Sequence, residues 1–165
     1  MVSLQLSEEA KTDKIENGEL KMYGFEKLIV WQKSMTFCEL VYKVTENFPK
    51  REIFGLTSQL RRASYSIPLN IAEGSASKSK KEFKYFLTIA LRSQYECITL
   101  LKLSFRLNFL NDNDYSKLFE KCDEVGRLLN GLIKSQYSRQ QSVVSNQDTK
   151  DREPRTEDRQ LKTEN

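Results

Sequence analysis

An all-α fold, an antiparallel up-and-down four-helix bundle, is what this sequence predicts, and three observations carry that expectation. Apolar residues recur at steps of three and four through four long stretches, the spacing of one helix face. The segments joining those stretches are short and polar, and short connections make neighbouring helices antiparallel. Three prolines and six glycines in 165 residues are too few for a turn-rich sheet. A chain of this length buries one core. A single domain is therefore expected over residues 21–139, between an N-terminal arm (residues 1–20) and a C-terminal tail (residues 140–165). Both flanks are polar and without sustained period, so disorder is expected there.

The first helix carries two adjacent stripes, Leu28, Trp31, Met35, Cys38, Tyr42, Thr45 and Val30, Phe37, Val41, Val44, Phe48. Together they are wider than one helix–helix seam requires. Trp31 is expected in the core, and Pro49 closes the helix by forcing the preceding residue out of helical geometry. The second helix is expected from about Arg51 or Glu52 to Gly74, with that glycine suited to a left-handed cap. Ser79 and Glu82 have capping-box spacing at the start of a third helix that meets no breaker before about Asn108. Its inner stripe is Phe83, Leu87, Ala90, Gln94, Cys97, Leu101 and Ser104, with Tyr95, Leu103 and Leu107 towards another side. The run from Asn111 to Asp114 offers N-caps for a fourth helix built on Tyr115, Leu118, Cys122, Val125, Leu129 and Leu132, which fades after about Tyr137.

The second helix is the centre of the chain. Leu56, Leu60, Ala63, Ile67 and Ile71 form its apolar face, and Gln59, Arg62, Ser66, Asn70 and Glu73 form a polar stripe beside it. A third line carries Arg61, Tyr65, Pro68 and Ala72. Pro68 lacks a backbone donor and its ring presses on the carbonyl of Ser64, so a kink is expected.

The motif RRASYSIPLNIAEG, with FPKREIFGLTS before it and KEF and FLTIA after it, resembles the four-helix-bundle family of 23S rRNA intervening-sequence proteins. The resemblance runs from about Tyr23 to Ile133 and extends to the accessory proteins of diversity-generating retroelements. It implies the same bundle, a homopentameric ring, and RNA and a reverse transcriptase as partners. The chain departs from the family pattern at Leu91, Arg92, Ser93 and Gln94 and at Ser64 and Tyr65, where smaller residues are usual. Altered helix packing or subunit geometry is expected there.

Composition narrows the chemistry. There is no histidine, which removes histidine triads, histidine zinc sites and the glutamate–histidine pairs of di-iron bundles. Cys38, Cys97 and Cys122 fall on apolar stripes and are expected to be buried free thiols. No apolar run is long enough for a membrane span and the N-terminus lacks the charged-then-apolar layout of a signal peptide, so a soluble cytoplasmic protein with no cofactor or metal is expected. Net charge is +4, but residues 21–139 hold twenty basic and twelve acidic side chains.

Two clusters are candidates for function. Lys78, Lys80, Lys81 and Lys84, with Arg61 and Arg62, form a basic patch around the second loop. Lysines in a helix's first turn oppose its dipole, and a phosphate would compensate. The alternative is a solvated lysine-rich loop. The polar stripe of Gln59, Arg62, Ser66, Asn70 and Glu73 admits an enzymatic reading, with Glu73 as acid or base and Arg62 as anion clamp. No nucleophile, glycine loop or metal cluster supports it. Gln59, Ser66, Pro68, Asn70 and Glu73 are therefore expected in packing or at a subunit interface. Tyr65, Tyr85 and Tyr95 are expected in core or subunit contacts, which leaves no base reader and makes any nucleic-acid contact one to phosphate. The expectation is a non-enzymatic oligomer with a basic surface for RNA or DNA; a ring-shaped scaffold binding only proteins is the alternative.

Overall fold

The structure is a computed structural model that describes residues 22–150, with side chains described as far as Gln136. The expected arm (residues 1–20) and the last part of the expected tail (residues 151–165) lie outside the described residues. A short 3-10 turn, Gly24–Lys27, leads into α1 (Ile29–Thr45), followed by α2 (Leu56–Ser75), α3 (Lys80–Arg106) and α4 (Asp112–Lys150). Each helix packs on its two neighbours: α1 on α2, α2 on α3, α3 on α4, and α4 back on α1. Contacts between consecutive helices run in opposite senses along the chain: Cys38 meets Ser64 and Thr45 meets Arg61, Ser66 meets Ser93 and Gly74 adjoins Phe86, and Gln94 meets Cys122 and Phe105 stacks on Tyr115. The bundle is thus the expected antiparallel one, without strands among the described residues.

The core is filled by the stripes that periodicity selects. Leu60, Ala63, Ile67 and Ile71 of α2 meet Leu87, Ala90, Cys97 and Leu101 of α3 and Leu118, Cys122, Val125 and Leu129 of α4. On α1 only one of the two stripes goes fully inward. Val30, Phe37, Val41 and Phe48 are buried, whereas Trp31, Met35 and Cys38 are half-buried and Tyr42 is exposed. Trp31 is therefore not a core residue. It packs at the core's edge, with Phe25 of the 3-10 turn edge-on to it at a ring separation of 5.2 Å.

Four helix boundaries differ from the sequence expectation. Helix α1 ends at Thr45, ahead of Phe48, so Pro49 is not what closes it. Helix α2 starts at Leu56 because Lys50–Glu52 forms a separate 3-10 turn. The Glu52 carboxylate then folds back to accept the free Leu56 N–H at 3.2 Å. Gly55 makes room, since a Cβ there would stand 2.6 Å from that carboxylate. Gly74 is helical, not a left-handed cap, and α2 continues to Ser75. Its missing side chain instead lets α3 approach: a Cβ would sit 2.6 Å from the Cβ of Phe86. Helix α4 runs on to Lys150, past the last apolar repeat near Tyr137. Adding a residue to a formed helix gains a backbone hydrogen bond without a new nucleus, so the helix outlasts the apolar repeat.

The expected N-caps are present: Ser79 Oγ accepts from Glu82 N–H at 3.1 Å, and Asn111 Oδ1 from Asp114 N–H at 2.8 Å. Helix α3 ends in a Schellman motif: Asn108 adopts φ 58°, and the Phe109 and Asn108 amides return to the carbonyls of Ser104 and Phe105. Pro68 is buried inside α2, whose helical assignment is continuous through it, so the expected kink does not interrupt the helix. The bulk of Gln94 is absorbed internally. Its Nε2 donates to the Cys122 carbonyl at 3.1 Å, and Gly126 leaves the space the amide occupies.

Candidate nucleic-acid interface

The structure divides the predicted basic patch. Lys78 and Lys80 border a cleft of about 600 Å³ between the 3-10 turn at Gly24–Lys27 and the α2–α3 loop. Lys81 and Lys84 belong to the outward side of α3, where they share a shallow hollow of about 240 Å³ with Tyr85, Thr88, Ile89 and Arg92. The two predicted arginines do not join them. Arg61 faces α1: its Nε donates to Thr45 Oγ1 at 2.7 Å, and its guanidinium lies 4.8 Å over the Tyr42 ring. Arg62 is exposed, twelve residues before Gly74, or about 18 Å along the helix.

What the structure reveals in their place is an outer stripe on α3. Lys81, Tyr85, Thr88, Arg92, Tyr95, Thr99, Lys102 and Arg106 step by four and three without a break, opposite the buried stripe. A cation, a tyrosine and a threonine follow one another twice in that order before Lys102. Tyr85 is 63% exposed and Tyr95 58%, so neither is a core residue. Their rings stand about 15 Å apart along the axis, on a stripe about 37 Å long. Helix α3 holds six basic and two acidic side chains, the latter being Glu82 and Glu96. Helix α4 differs: Glu124 pairs with Lys33 at 2.9 Å and with Lys121 at 3.7 Å, and Asp123 pairs with Arg127. Two hydroxyls on the α3 stripe are already used, Thr88 Oγ1 on the Lys84 carbonyl and Thr99 Oγ1 on that of Tyr95. What remains outward is positive charge and aromatic surface. Arg92, Tyr85 and Tyr95 were missed by looking for a cluster near the loop; the same period that identifies the core identifies this outer face.

The polar stripe of α2 does not converge on a reaction centre. Ser66 Oγ accepts from Ser93 Oγ at 3.0 Å, and Asn70 Nδ2 donates to the Ser66 carbonyl at 2.7 Å, so both serve the contact with α3 or α2 itself. Gln59, Arg62 and Glu73 are exposed. Arg62 and Glu73 are eleven residues apart, about 16 Å along the axis, too far to act on one substrate atom. Pro68 lies on another side of α2, in an apolar groove with α1.

Among the described residues no cluster of three or more acidic or thiol groups is placed to hold a metal, and no helix is long and apolar enough to cross a membrane. All three cysteines are free: Cys97 and Cys122 are buried, but Cys38 is only half-buried at the groove. A hydrogen bond with the Cys122 thiol and burial push the Cys97 thiol far above its usual range, and burial raises Cys38.

The profile of the family described as 23S rRNA-intervening sequence protein matches residues 26–131, which spans all of α1 to α3 and the first half of α4. The chain belongs to the 23S rRNA-intervening sequence protein family. A solved relative is the crystal structure of a protein of unknown function from the S23 ribosomal protein family of Bacteroides thetaiotaomicron. The two share 26% identity and a TM-score of 0.61, over 64% of this chain and 96% of that one. No curated protein matches. Family membership therefore secures the bundle, and the stripe on α3 is this chain's own evidence about function.

Proposed function

We propose that this member of the family is a non-enzymatic nucleic-acid-binding protein that holds a single strand along the outer face of α3. The supporting observation is the alternation of cations with exposed tyrosines: Lys81, Arg92 and Lys102 suit phosphates, and Tyr85 and Tyr95 offer faces for bases. Stacking of this kind tolerates any sequence, because every base has a π-face. Phosphate contacts supply affinity and make it salt-dependent. Lys78 and Lys80 extend the positive surface past the helix start. The intervening-sequence family name points to RNA, and the retroelement kinship implied by the motif adds a reverse transcriptase as a protein partner.

The test is fluorescence anisotropy with mixed-sequence single-stranded and duplex RNA, on protein freed of nucleic acid at high salt. Single strands should bind at low salt and weaken steeply as salt rises. Changing Lys81, Lys84 and Arg92 to Glu should weaken binding to all sequences alike, and changing Tyr85 and Tyr95 to Ala should weaken single strands more than duplex. Absence of binding at low and moderate salt would reject the proposal and leave the reading of a scaffold for protein partners, which the apolar groove between α1 and α2 favours.

A further inference from the structure

The cleft beside the start of α3 carries chemistry that the outer stripe does not use. It measures about 600 Å³, within the range of small-molecule sites. Tyr23 and Phe25 line it with their rings parallel within 9° and 5.7 Å apart. Phe83 of α3 adds a third aromatic side chain, and Lys78, Ser79 and Lys80 line it from the α2–α3 loop and the first turn of α3.

The aromatic wall is fixed in advance of any ligand. The Tyr23 N–H donates to Glu26 Oε2 at 2.6 Å, and Gln32 Nε2 ties the turn to α1 by donating to the Glu26 carbonyl at 2.8 Å. Phe25 in turn meets Trp31 edge-on. Tyr23 still leaves 64% of its surface open, so its ring has area to offer a ligand.

The charged side chains that line the cleft, Lys78 and Lys80, are both cations and both exposed. Glu26, Glu73 and Glu82 stand nearby in sequence without lining it, and Glu26 is spent on the Tyr23 amide. Lys27, Lys81 and Lys84 lie in the same segments, so these carboxylates do not reverse the sign. Ser79 Oγ accepts the Glu82 N–H and still has its own proton to donate. An aromatic wall beside two ammonium groups and a hydroxyl donor suits a flat ring that carries a phosphate. A nucleotide has that chemistry, and Lys80 is followed directly by Lys81, where the α3 stripe begins.

We infer that this cleft is a binding site for one nucleotide, with its base against Tyr23 and Phe25 and its phosphate held by Lys78, Lys80 and Ser79 Oγ. The nucleotide comes either free, as a mononucleotide, or as the phosphorylated end of a strand lying on α3. Only the second source rests on the nucleic-acid reading.

Equilibrium dialysis of the full chain against radiolabelled AMP, adenosine and ribose 5-phosphate tests the site. Fluorescence anisotropy with single-stranded RNA, with and without a terminal phosphate, separates the two sources. AMP should bind more tightly than adenosine or ribose 5-phosphate, each of which lacks half of the recognised chemistry. Tyr23→Ala should lower the affinity for AMP about 5- to 100-fold, the worth of one stacked base. K78E/K80E should lower it to that of adenosine. Both variants alter exposed side chains, so both should keep the wild-type helical content by circular dichroism. Y85A/Y95A should leave AMP binding unchanged, so failure of the stripe and failure of the cleft are told apart. A terminal phosphate that strengthens RNA binding in the wild type, but not in Tyr23→Ala, assigns the site to strand ends even where free AMP is not held. The inference is overturned if neither AMP nor the terminal phosphate is recognised, or if adenosine binds as tightly as AMP. It is equally overturned if Tyr23→Ala and K78E/K80E both behave as the wild type, or if Y85A/Y95A weakens AMP as Tyr23→Ala does.

Discussion

Replacing Gly126 by alanine should destabilise this protein, although it puts a better helix former inside α4. In an open helix the change stabilises by about 1 kcal/mol. Here a Cβ would stand 2.7 Å from Gln94 Nε2, 2.9 Å from its Cδ and 3.1 Å from its Oε1. Ordinary contact begins near 3.4 Å, so the amide must retreat by most of an ångström. Gln94 is 3% exposed, and its Nε2 is spent on the Cys122 carbonyl. Moving it leaves a buried polar group unpaired, at a cost of about 1–3 kcal/mol, with overpacking strain of similar size. The net expectation for Gly126→Ala is a loss of about 1–5 kcal/mol. In a Gln94→Ala background the obstacle is gone, and the same substitution should stabilise by up to about 1 kcal/mol. Urea unfolding of the four proteins in this cycle measures both effects, and the sign of Gly126→Ala should reverse between the backgrounds. Equal destabilisation in both, or stabilisation of the wild type, would refute the packing account of Gln94.

Three further expectations follow from single contacts. Ser79→Ala removes the side-chain acceptor of the Glu82 amide at the start of α3 and should cost about 1 kcal/mol in urea unfolding, largely recovered by Ser79→Asp. Glu124 has its carboxyl held below the usual range by its hydrogen bond to Lys33. A depressed folded-state pKa stabilises above the unfolded carboxylate value and is lost as pH falls through the folded one. The deficit of Lys33→Met, about 0.2–1 kcal/mol for a surface pair, should therefore be present at neutral pH and vanish in acid; a deficit that persists below both pKa values would contradict the pairing. Because the thiols of Cys97 and Cys38 are raised, a thiol-directed reagent at neutral pH should label the native protein slowly, with Cys38 first, and all three cysteines rapidly in denaturant. Rapid native labelling of Cys97 would contradict its burial.

Much of the fold was legible because helical period is a local property. The inner stripes of α2, α3 and α4 were readable residue by residue, as were the caps at Ser79 and Asn111. Local chemistry also misled in places. Gly74 looked like a left-handed cap, but its role is to admit Phe86, a contact made by a residue on another helix. Arg61 looked like part of a basic patch, yet it spends its guanidinium on Thr45 and Tyr42 across the α1–α2 seam. For the candidate interface, the lysines were visible as a run, while Arg92, Tyr85 and Tyr95 were not grouped with them. They are separated in sequence and meet only along one side of a helix.

The sequence by itself determined that this chain forms four amphipathic helices, where most of them begin, and which residues of α2, α3 and α4 avoid water. Those properties depend on spacing within one helix. Only the tertiary structure decided which of the two apolar stripes on α1 is buried and which is left beside α2 as a groove. A period identifies a face, but its coverage depends on where the neighbouring helix axis lies. The same placement of axes turned the α3 face of cations and tyrosines outward, and left Phe54 exposed at the α1–α2 connection.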